Sequence, residues 1–266
     1  MSLEAKFQNL KKYIKSLKSA AVAFSSGVDS TFLLKVAHDV LGNNVLALTM
    51  KSSLCPAKEY VKAVEFCRDR GIEHVTVEMD ETCIKGFVKN PENRCYLCKR
   101  EIFKSFLNQA SLRGLACVIE GSNLDDTKDY RPGLKALEEL NIVSPLLECA
   151  LTKEEIRVLS KREGLSTWDK PSFACLASRI PYGEVITKEK LKMIEKAEDV
   201  LRSLGFSQFR VRCHNHIARI EILCGEFEKL LSVREKVAAD FKSFGFKYVT
   251  MDLLGYRTGS LNENLR

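Results

Sequence analysis

Three short stretches of this 266-residue chain carry side chains suited to chemistry. The first is Phe24-Ser25-Ser26-Gly27-Val28-Asp29-Ser30, which lies between an apolar run and a helical pattern. A turn of small residues lets backbone N–H groups approach phosphate oxygens, and the helix N-terminus behind it adds a favourable dipole. The turn has neither the Gly-Lys-Ser/Thr end of a Walker loop nor the three-glycine dinucleotide fingerprint. Its bland reading is a serine-rich turn that only caps a helix. The second stretch, Gly121-Ser122-Asn123-Leu124-Asp125-Asp126, continues to Asp129-Tyr130-Arg131-Pro132-Gly133. Mg²⁺ prefers carboxylate and phosphate oxygens, so these carboxylates, Asp126 among them, can hold it against a phosphate; Asp125 and Asp126 suit helix capping equally well. The third is a set of thiols. Arg94-Cys95-Tyr96-Leu97-Cys98-Lys99 is a CxxC without a second CxxC to complete a four-cysteine zinc site. Cys175 follows in a loop between Lys170 and Arg179, cations that favour thiolate. Three converging thiolates could hold a [4Fe–4S] cluster by three irons and leave the fourth open to sulfide. A redox disulfide, a zinc site completed by His214 or His216, and a structural Cys175 are the alternatives.

The elements that must position these residues alternate. Residues 20–24 form a run too short for a helix, and 30–41 carry Leu33, Val36, Ala37 and Val40 at helical spacing before Gly42. A strand is expected at 45–50, a helix at 56–70, a strand at 72–79, a helix at 100–112 and a strand at 115–120. Thr152-Lys153-Glu154-Glu155 reads as a capping box for a helix over 153–163. Such alternation implies an α/β fold, a doubly wound parallel sheet whose ligands sit beyond the carboxyl ends of the strands. After a loop at 164–187 the pattern changes to a helix at 188–204, alternating runs at 209–213 and 217–223, a helix at 226–243 and a strand at 246–252. LRSLGFSQFRV and FKSFGFKYVTM form a weak repeat of helix end, glycine, phenylalanine and strand, and this part reads as a smaller C-terminal α+β domain. Alternation sets Phe209, Val211 and Cys213 apart from Arg210 and Arg212, and Ala218, Ile220 and Ile222 apart from Arg219 and Glu221. Arginines so placed can bind phosphate and carboxylate bidentately, with Ser178, Arg179 and Arg257 as further phosphate candidates.

Several of these stretches together resemble one family. The turn at 24–30 is similar to the PP-loop, usually SGGxDS, of the N-type ATP pyrophosphatases, with Ser26 standing where glycine is usual. Asp125-Asp126 with Arg131-Pro132-Gly133, the run from Trp168-Asp169-Lys170-Pro171 to Cys175-Leu176-Ala177-Ser178-Arg179-Ile180-Pro181-Tyr182-Gly183, and the tail Gly255-Tyr256-Arg257-Thr258-Gly259 resemble the LarE family. These are the ATP-dependent sulfur transferases of nickel-pincer nucleotide cofactor biosynthesis. The resemblance implies a PP-loop ATP pyrophosphatase domain over 1–170 and an α+β sulfur-transfer and substrate domain over 171–266. It implies that a carboxylate of pyridinium-3,5-biscarboxylic acid mononucleotide is adenylylated by ATP with Mg²⁺ and then thiolated. ATP contacts are expected from Ser25, Ser26, Gly27, Val28, Asp29, Ser30, Met50, Gly121, Asp125 and Asp126, and substrate contacts from Ser178, Arg179, Arg210, Arg212, Arg219, Glu221 and Arg257. In one form of the family a cysteine at the Cys175 position gives up its own sulfur and becomes dehydroalanine. In another, three cysteines hold a [4Fe–4S] cluster, and the presence of Cys95 and Cys98 beside Cys175 favours that form.

Composition limits the alternatives. With 45% hydrophobic and 29% charged residues the chain can bury one large core or two modest ones. There is no apolar run of membrane-spanning length and no apolar h-region in the first residues, so a cytoplasmic protein is expected. Ten cysteines in such a compartment argue against a disulfide framework; Cys67, Cys83, Cys117, Cys149 and Cys224 are read as small buried hydrophobes. The net charge of +7 is divided about evenly between residues 1–170 and 171–266, with no basic stripe for nucleic acid. A small-molecule nucleotide, sulfide or a sulfur-donor protein, and further copies of the chain are therefore the expected partners. A PP-loop thiolase acting on transfer RNA and a non-catalytic zinc- and nucleotide-binding regulator are the competing functions.

Overall fold

Short apolar runs pair into a parallel sheet, and the amphipathic stretches between them cover both of its faces. The structure, a computed structural model, describes residues 1–128, 132–171, 174–257 and 259–265. Asp129, Tyr130 and Arg131 of the second stretch and Ser172 and Phe173 of the thiol loop lie outside the described residues. The chain divides into two compact units, Met1–Asp80 with Asn93–Phe173, and Glu81–Glu92 with Ala174–Arg266. Residues 81–92 thus fall with the later segment.

The first unit runs α1 (Leu3–Ser16), β1 (Ala20–Ala23), α2 (Val28–Leu41), β2 (Val45–Lys51), α3 (Ala57–Asp69), β3 (Glu73–Glu78), α4 (Arg94–Leu112), β4 (Val118–Ile119), α5 (Gly133–Glu139), α6 (Pro145–Glu148) and α7 (Lys153–Arg162). The strand order is β3-β2-β1-β4, and every pair is parallel. Successive side chains of β1 point to opposite faces. Ala20 and Val22 join a core with Phe7, Leu10 and Ile14 of α1, Phe32 and Leu33 of α2, and Ile156 and Leu159 of α7. Ala21 joins Leu46 and Leu48 of β2, Phe103, Phe106 and Ala110 of α4, and Leu137 of α5. The order reverses between β1 and β4, so the turn after β1 opens at a topological switch point, where α/β sheets bind ligands.

Four helices of the first unit differ from the sequence expectation, α5 and α6 because no expected element covers them. α1 is not among the expected elements, although Ser2 caps it, its Oγ accepting from Ala5 N–H at 3.3 Å, and Phe7, Leu10 and Ile14 share its buried face. α4 starts at Arg94, six residues before the expected start at 100, and so contains both cysteines of the CxxC. Cys98 occupies a buried position on the helix that also buries Phe103, Phe106 and Ala110, and a cysteine taken for a ligand conceals that apolar period. The expected capping box of α7 forms: Thr152 Oγ1 accepts from Glu155 N–H at 3.2 Å, and Glu155 Oε2 accepts from Thr152 N–H at 2.9 Å.

The second unit contains α8 (Lys188–Ser203), β5 (Phe209–His214), β6 (Ile217–Ile222), α9 (Phe227–Ser232), α10 (Arg234–Ser243) and β7 (Tyr248–Met251). Its sheet has the order β5-β6-β7, antiparallel then parallel. Both copies of the weak repeat fold alike. Gly205 (φ +76°) ends α8 and Gly245 (φ +116°) ends α10, in backbone that a β-carbon disfavours. The buried Phe206 and Phe246 that follow donate their N–H groups back to Leu201 O and Phe241 O. The single helix expected at 226–243 is instead two. Ser232 Oγ donates to Lys229 O at 2.8 Å, a side-chain bond that competes with helix continuation, and Val233 takes φ −110° between α9 and α10. Among the described residues no helix is long and apolar enough to cross a membrane. Of the cysteines read as buried, Cys67 is buried, Cys117 and Cys149 are half-buried, and Cys83 and Cys224 are exposed. Apolar sequence neighbours do not decide burial outside a regular element.

Leu10 has none of its surface exposed. Leu10→Ala is expected to cost about 2–5 kcal/mol in urea unfolding; a loss well under about 1 kcal/mol would mean that α1 is not part of the core.

Candidate active site

The turn between β1 and α2 is held from below. Phe24 N–H donates to Leu48 O and Thr49 Oγ1 donates to Phe24 O at 2.9 Å, which fixes the chain as it leaves the sheet. Ser26 is buried and left-handed, with φ +53°. That conformation costs a residue with a β-carbon roughly 1–2 kcal/mol. Its side chain and carbonyl are engaged in return: Oγ lies 2.9 Å from Glu59 Oε2 and 3.1 Å from Glu59 O, and Lys170 Nζ donates to Ser26 O at 2.8 Å while pairing with Glu59. Burial pushes the Glu59 carboxyl up, but the bond and charge of Lys170 and the Ser26 hydroxyl outweigh it and hold the group below its ordinary value. Burial lowers Lys170, with Glu59 offsetting part of that. Gly27 is the N-cap of α2 and makes no side-chain capping bond, and Ser30 Oγ turns back to Ser25 N–H at 3.3 Å. An uncapped first turn beside Asp29 is where an anion is stabilised by N–H groups and dipole.

The β4 side of the crevice closes on this turn. A β-carbon on Gly121 would lie 3.1 Å from Ser30 N and 3.2 Å from Asp29 Cβ, so any larger residue there would require the backbone of the first turn of α2 to give by a few tenths of an ångström. Asn123 Nδ2 donates to Asp29 Oδ1 at 3.3 Å, and Lys153 pairs with Asp29 Oδ2. Asp125 Oδ2 accepts from Lys153 N–H at 2.9 Å and Asp126 Oδ2 from Asn123 N–H at 3.0 Å, so both carboxylates do cap backbone. Met50, near the end of β2, packs half-buried against the second core cluster.

The thiols divide between the two units. Cys95 is exposed and Cys98 buried in the first turns of α4, at a spacing that puts them on one side of the helix. Cys175 is exposed in the second unit and precedes a short 3-10 turn, Leu176–Arg179. Among the described residues no three His, Cys, Asp or Glu side chains form a group that could hold a metal ion. Burial, then the charge of Arg219, lowers the pKa of His214.

The arginines of the ribbon share a face as alternation required. Arg210 stands opposite Glu221 and Arg212 opposite Arg219 in the antiparallel register. Arg212 grips the fully buried Glu221 through Nε and Nη2 at 3.0 and 2.9 Å, and Arg219 and Ser260 also reach Glu221. Arg219 pairs further with Asp252, and Arg257 pairs with Glu263 and Asp252. Arg210 lies with its guanidinium 5.3 Å from the Tyr256 ring centre, and burial, then the like charge of Arg179, holds its pKa below the ordinary value. Arg179 has no exposed surface and pairs with Glu198.

A family model described as NAD synthase matches residues 2–105. A protein of Synechocystis described only as uncharacterized is 44% identical over 266 residues, 99% of each chain. The pyridinium-3,5-bisthiocarboxylic acid mononucleotide synthase of Lactiplantibacillus plantarum is 37% identical over 265 residues, 99% of this chain and 96% of that protein. This chain belongs to the LarE family. A chain of the glutamine-hydrolysing GMP synthase from Thermoplasma volcanium shares 30% identity over 209 residues, 73% of the LarE chain and 66% of that protein. The LarE chain is accordingly a PP-loop enzyme that uses ATP to transfer sulfur.

In this LarE chain the turn with Ser25, Ser26, Gly27, Asp29 and Ser30 lies against Gly121, and Asn123 and Lys153 link Asp29 to Asp126 and Asp125. Lys170, expected from sequence to favour the Cys175 thiolate, has its ammonium on Glu59 and the Ser26 carbonyl instead. Sequence reasoning misses Glu59, Asn123 and Lys153. Asn123 and Lys153 do carry a signal, since one lies in the Gly121–Asp126 stretch and the other in the capping box; Glu59 is an unremarkable helix residue until the fold sets it under Ser26.

Because the Glu59 carboxyl lies below its ordinary value, the stability it contributes is present above 4.5 and is lost as pH falls through the folded value. Glu59→Gln should cost about 1.5–3 kcal/mol at neutral pH. Its gap to the parent in urea midpoint should narrow on acidification to about pH 3; a gap independent of pH would refute an ionised Glu59.

Proposed function

We propose that this enzyme adenylylates a carboxylate of pyridinium-3,5-biscarboxylic acid mononucleotide, releases pyrophosphate, and replaces AMP by sulfur to leave a thiocarboxylate. The observation that supports it most is the uncapped first turn of α2, ringed by Gly121, Asn123 and the Asp29–Lys153 pair. A carboxylate is a poor acyl donor because oxide would have to leave. Its oxygen attacks the α-phosphorus of ATP, the α–β phosphoanhydride bond breaks, and pyrophosphate departs with the electron pair. Sulfur then attacks the acyl carbon and AMP leaves as a stable anion.

Ser25, Ser26, Gly27, Val28 and Ser30 are assigned to the departing pyrophosphate, with Asp29 and Lys153 beside it and Met50 toward the nucleoside. Mg²⁺ binds through few protein carboxylates and several phosphate oxygens, so Asp126, placed by its bond to Asn123, suffices as its protein ligand. Arg210, Arg219 and Arg257 are assigned to the anionic groups of the pyridinium nucleotide, with Arg212 and Glu221 behind them.

For the sulfur source, the donor chemistry of Cys95, Cys98 and Cys175 fits a three-thiolate [4Fe–4S] cluster, which when bound would supply sulfide from its open iron. Sulfide itself or a sulfur-donor protein would replenish it. The exposed position of Cys175 favours a second reading, in which that thiol gives up its own sulfur.

Asp29→Ala is expected to lower pyrophosphate release about 10²-fold or more while the circular dichroism stays that of the parent; retained release would remove the PP-loop assignment. Cys175→Ala should release pyrophosphate but form no thiocarboxylate. Anaerobic iron and acid-labile sulfide content separates the two sulfur routes. Iron and sulfide lost in Cys95→Ala support the cluster, whereas a Cys95→Ala enzyme that still transfers one sulfur and converts Cys175 to dehydroalanine supports self-donation.

A further inference from the structure

In the turn that carries Cys175, side chains hold five of the carbonyls between residues 174 and 181. Arg179 Nη1 donates to Ala174 O at 2.8 Å and lies 3.2 Å from Cys175 O, which also receives Ser178 N–H at 2.9 Å. Arg212 Nη1 donates to Ser178 O at 2.8 Å. Asn90 Nδ2, on the segment that joins this unit from earlier in the chain, reaches Ile180 O at 3.1 Å and Pro181 O at 2.7 Å. The side chain of Cys175 is exposed above this framework.

Arg179 is the member that bonds the Cys175 carbonyl, and its surroundings do not suit a phosphate ligand. It is fully buried, and Nε and Nη2 bind the two oxygens of the buried Glu198 at 2.9 and 3.1 Å. Nη1 adds Ser178 Oγ at 2.9 Å to the two carbonyls, so the planar fork has acceptors on every nitrogen. Glu198 Oε1 also accepts Val211 N–H at 3.2 Å, which ties α8 and β5 to the same guanidinium. A phosphate ligand needs an open guanidinium edge, and this one is closed by backbone.

We propose that Arg179, braced by Glu198, is the positioning residue of Cys175 and not a ligand of the substrate phosphate. It acts through the backbone on either side of the thiol and serves both sulfur routes alike, because each requires the Cys175 sulfur at a fixed place. The inference rests on the reading of Cys175 as the sulfur-bearing residue.

The test uses full-length Arg179→Lys, which keeps the charge but loses the fork, with Glu198→Gln as a second variant that leaves Arg179 in place. Three quantities are read: pyrophosphate release, kcat and KM for sulfur transfer to the pyridinium nucleotide, and the rate of Cys175 alkylation by iodoacetamide followed by peptide mass. Expected are pyrophosphate release and KM within about twofold of the parent, sulfur transfer slowed about 10²-fold, and Cys175 alkylation changed severalfold in both variants. A KM raised tenfold or more with kcat kept would make Arg179 a phosphate ligand and overturn the proposal. Unchanged sulfur transfer and alkylation would overturn it equally. If Arg179→Lys does not fold, the same readings on Glu198→Gln decide. A parent enzyme that forms no thiocarboxylate would refute the proposed function, while the alkylation comparison would still judge the positioning role.

Discussion

Two turns of this protein are stretches of irregular backbone gripped through their carbonyl oxygens by half-buried or buried cations. Lys170 holds Ser26 in one unit, and Arg179 and Arg212 hold Ala174, Cys175 and Ser178 in the other. Each cation has its own carboxylate, Glu59, Glu198 or Glu221, because a buried charge without a partner is costly. A hydrogen bond from a charged donor contributes about 1.5–3 kcal/mol, against roughly 1 for a neutral one. That difference is of the size needed to hold a left-handed serine, or a thiol-bearing turn, in a single conformation.

Much of the α/β unit is legible in the sequence because a fully covered parallel sheet makes uninterrupted apolar runs, and because glycines and the Thr152 capping box punctuate them. The helix–glycine–phenylalanine–strand repeat is legible for the same reason: Gly205 and Gly245 answer a backbone demand that composition cannot hide. The misses share a cause. Cys98 reads first as a ligand, which hides its place in the apolar period of α4. The N-terminal residues read first for the absence of export features, which hides the stripe of Phe7, Leu10 and Ile14.

The site is legible in residue types and much less in roles. Alternation puts Arg210, Arg212, Arg219 and Glu221 on one face, and the register agrees. Yet alternation cannot tell an arginine that meets solvent from one that meets a carbonyl. Arg179 and Arg212 belong to the second kind, and only the burial of Glu198 and Glu221 reveals it. Lys170 is the same case in the other unit. Charged residues next to a reactive cysteine invite an electrostatic reading, whereas here the fold assigns them to backbone.

Ser26 carries a consequence for descent. With glycine at this position the left-handed turn would stand by itself, and neither Glu59 nor Lys170 would have to accompany it. With serine the turn becomes a joint inheritance of three residues far apart in the chain. Loss of the carboxylate or the ammonium would leave the serine turn without its support, and a change of Ser26 to glycine would free both to drift.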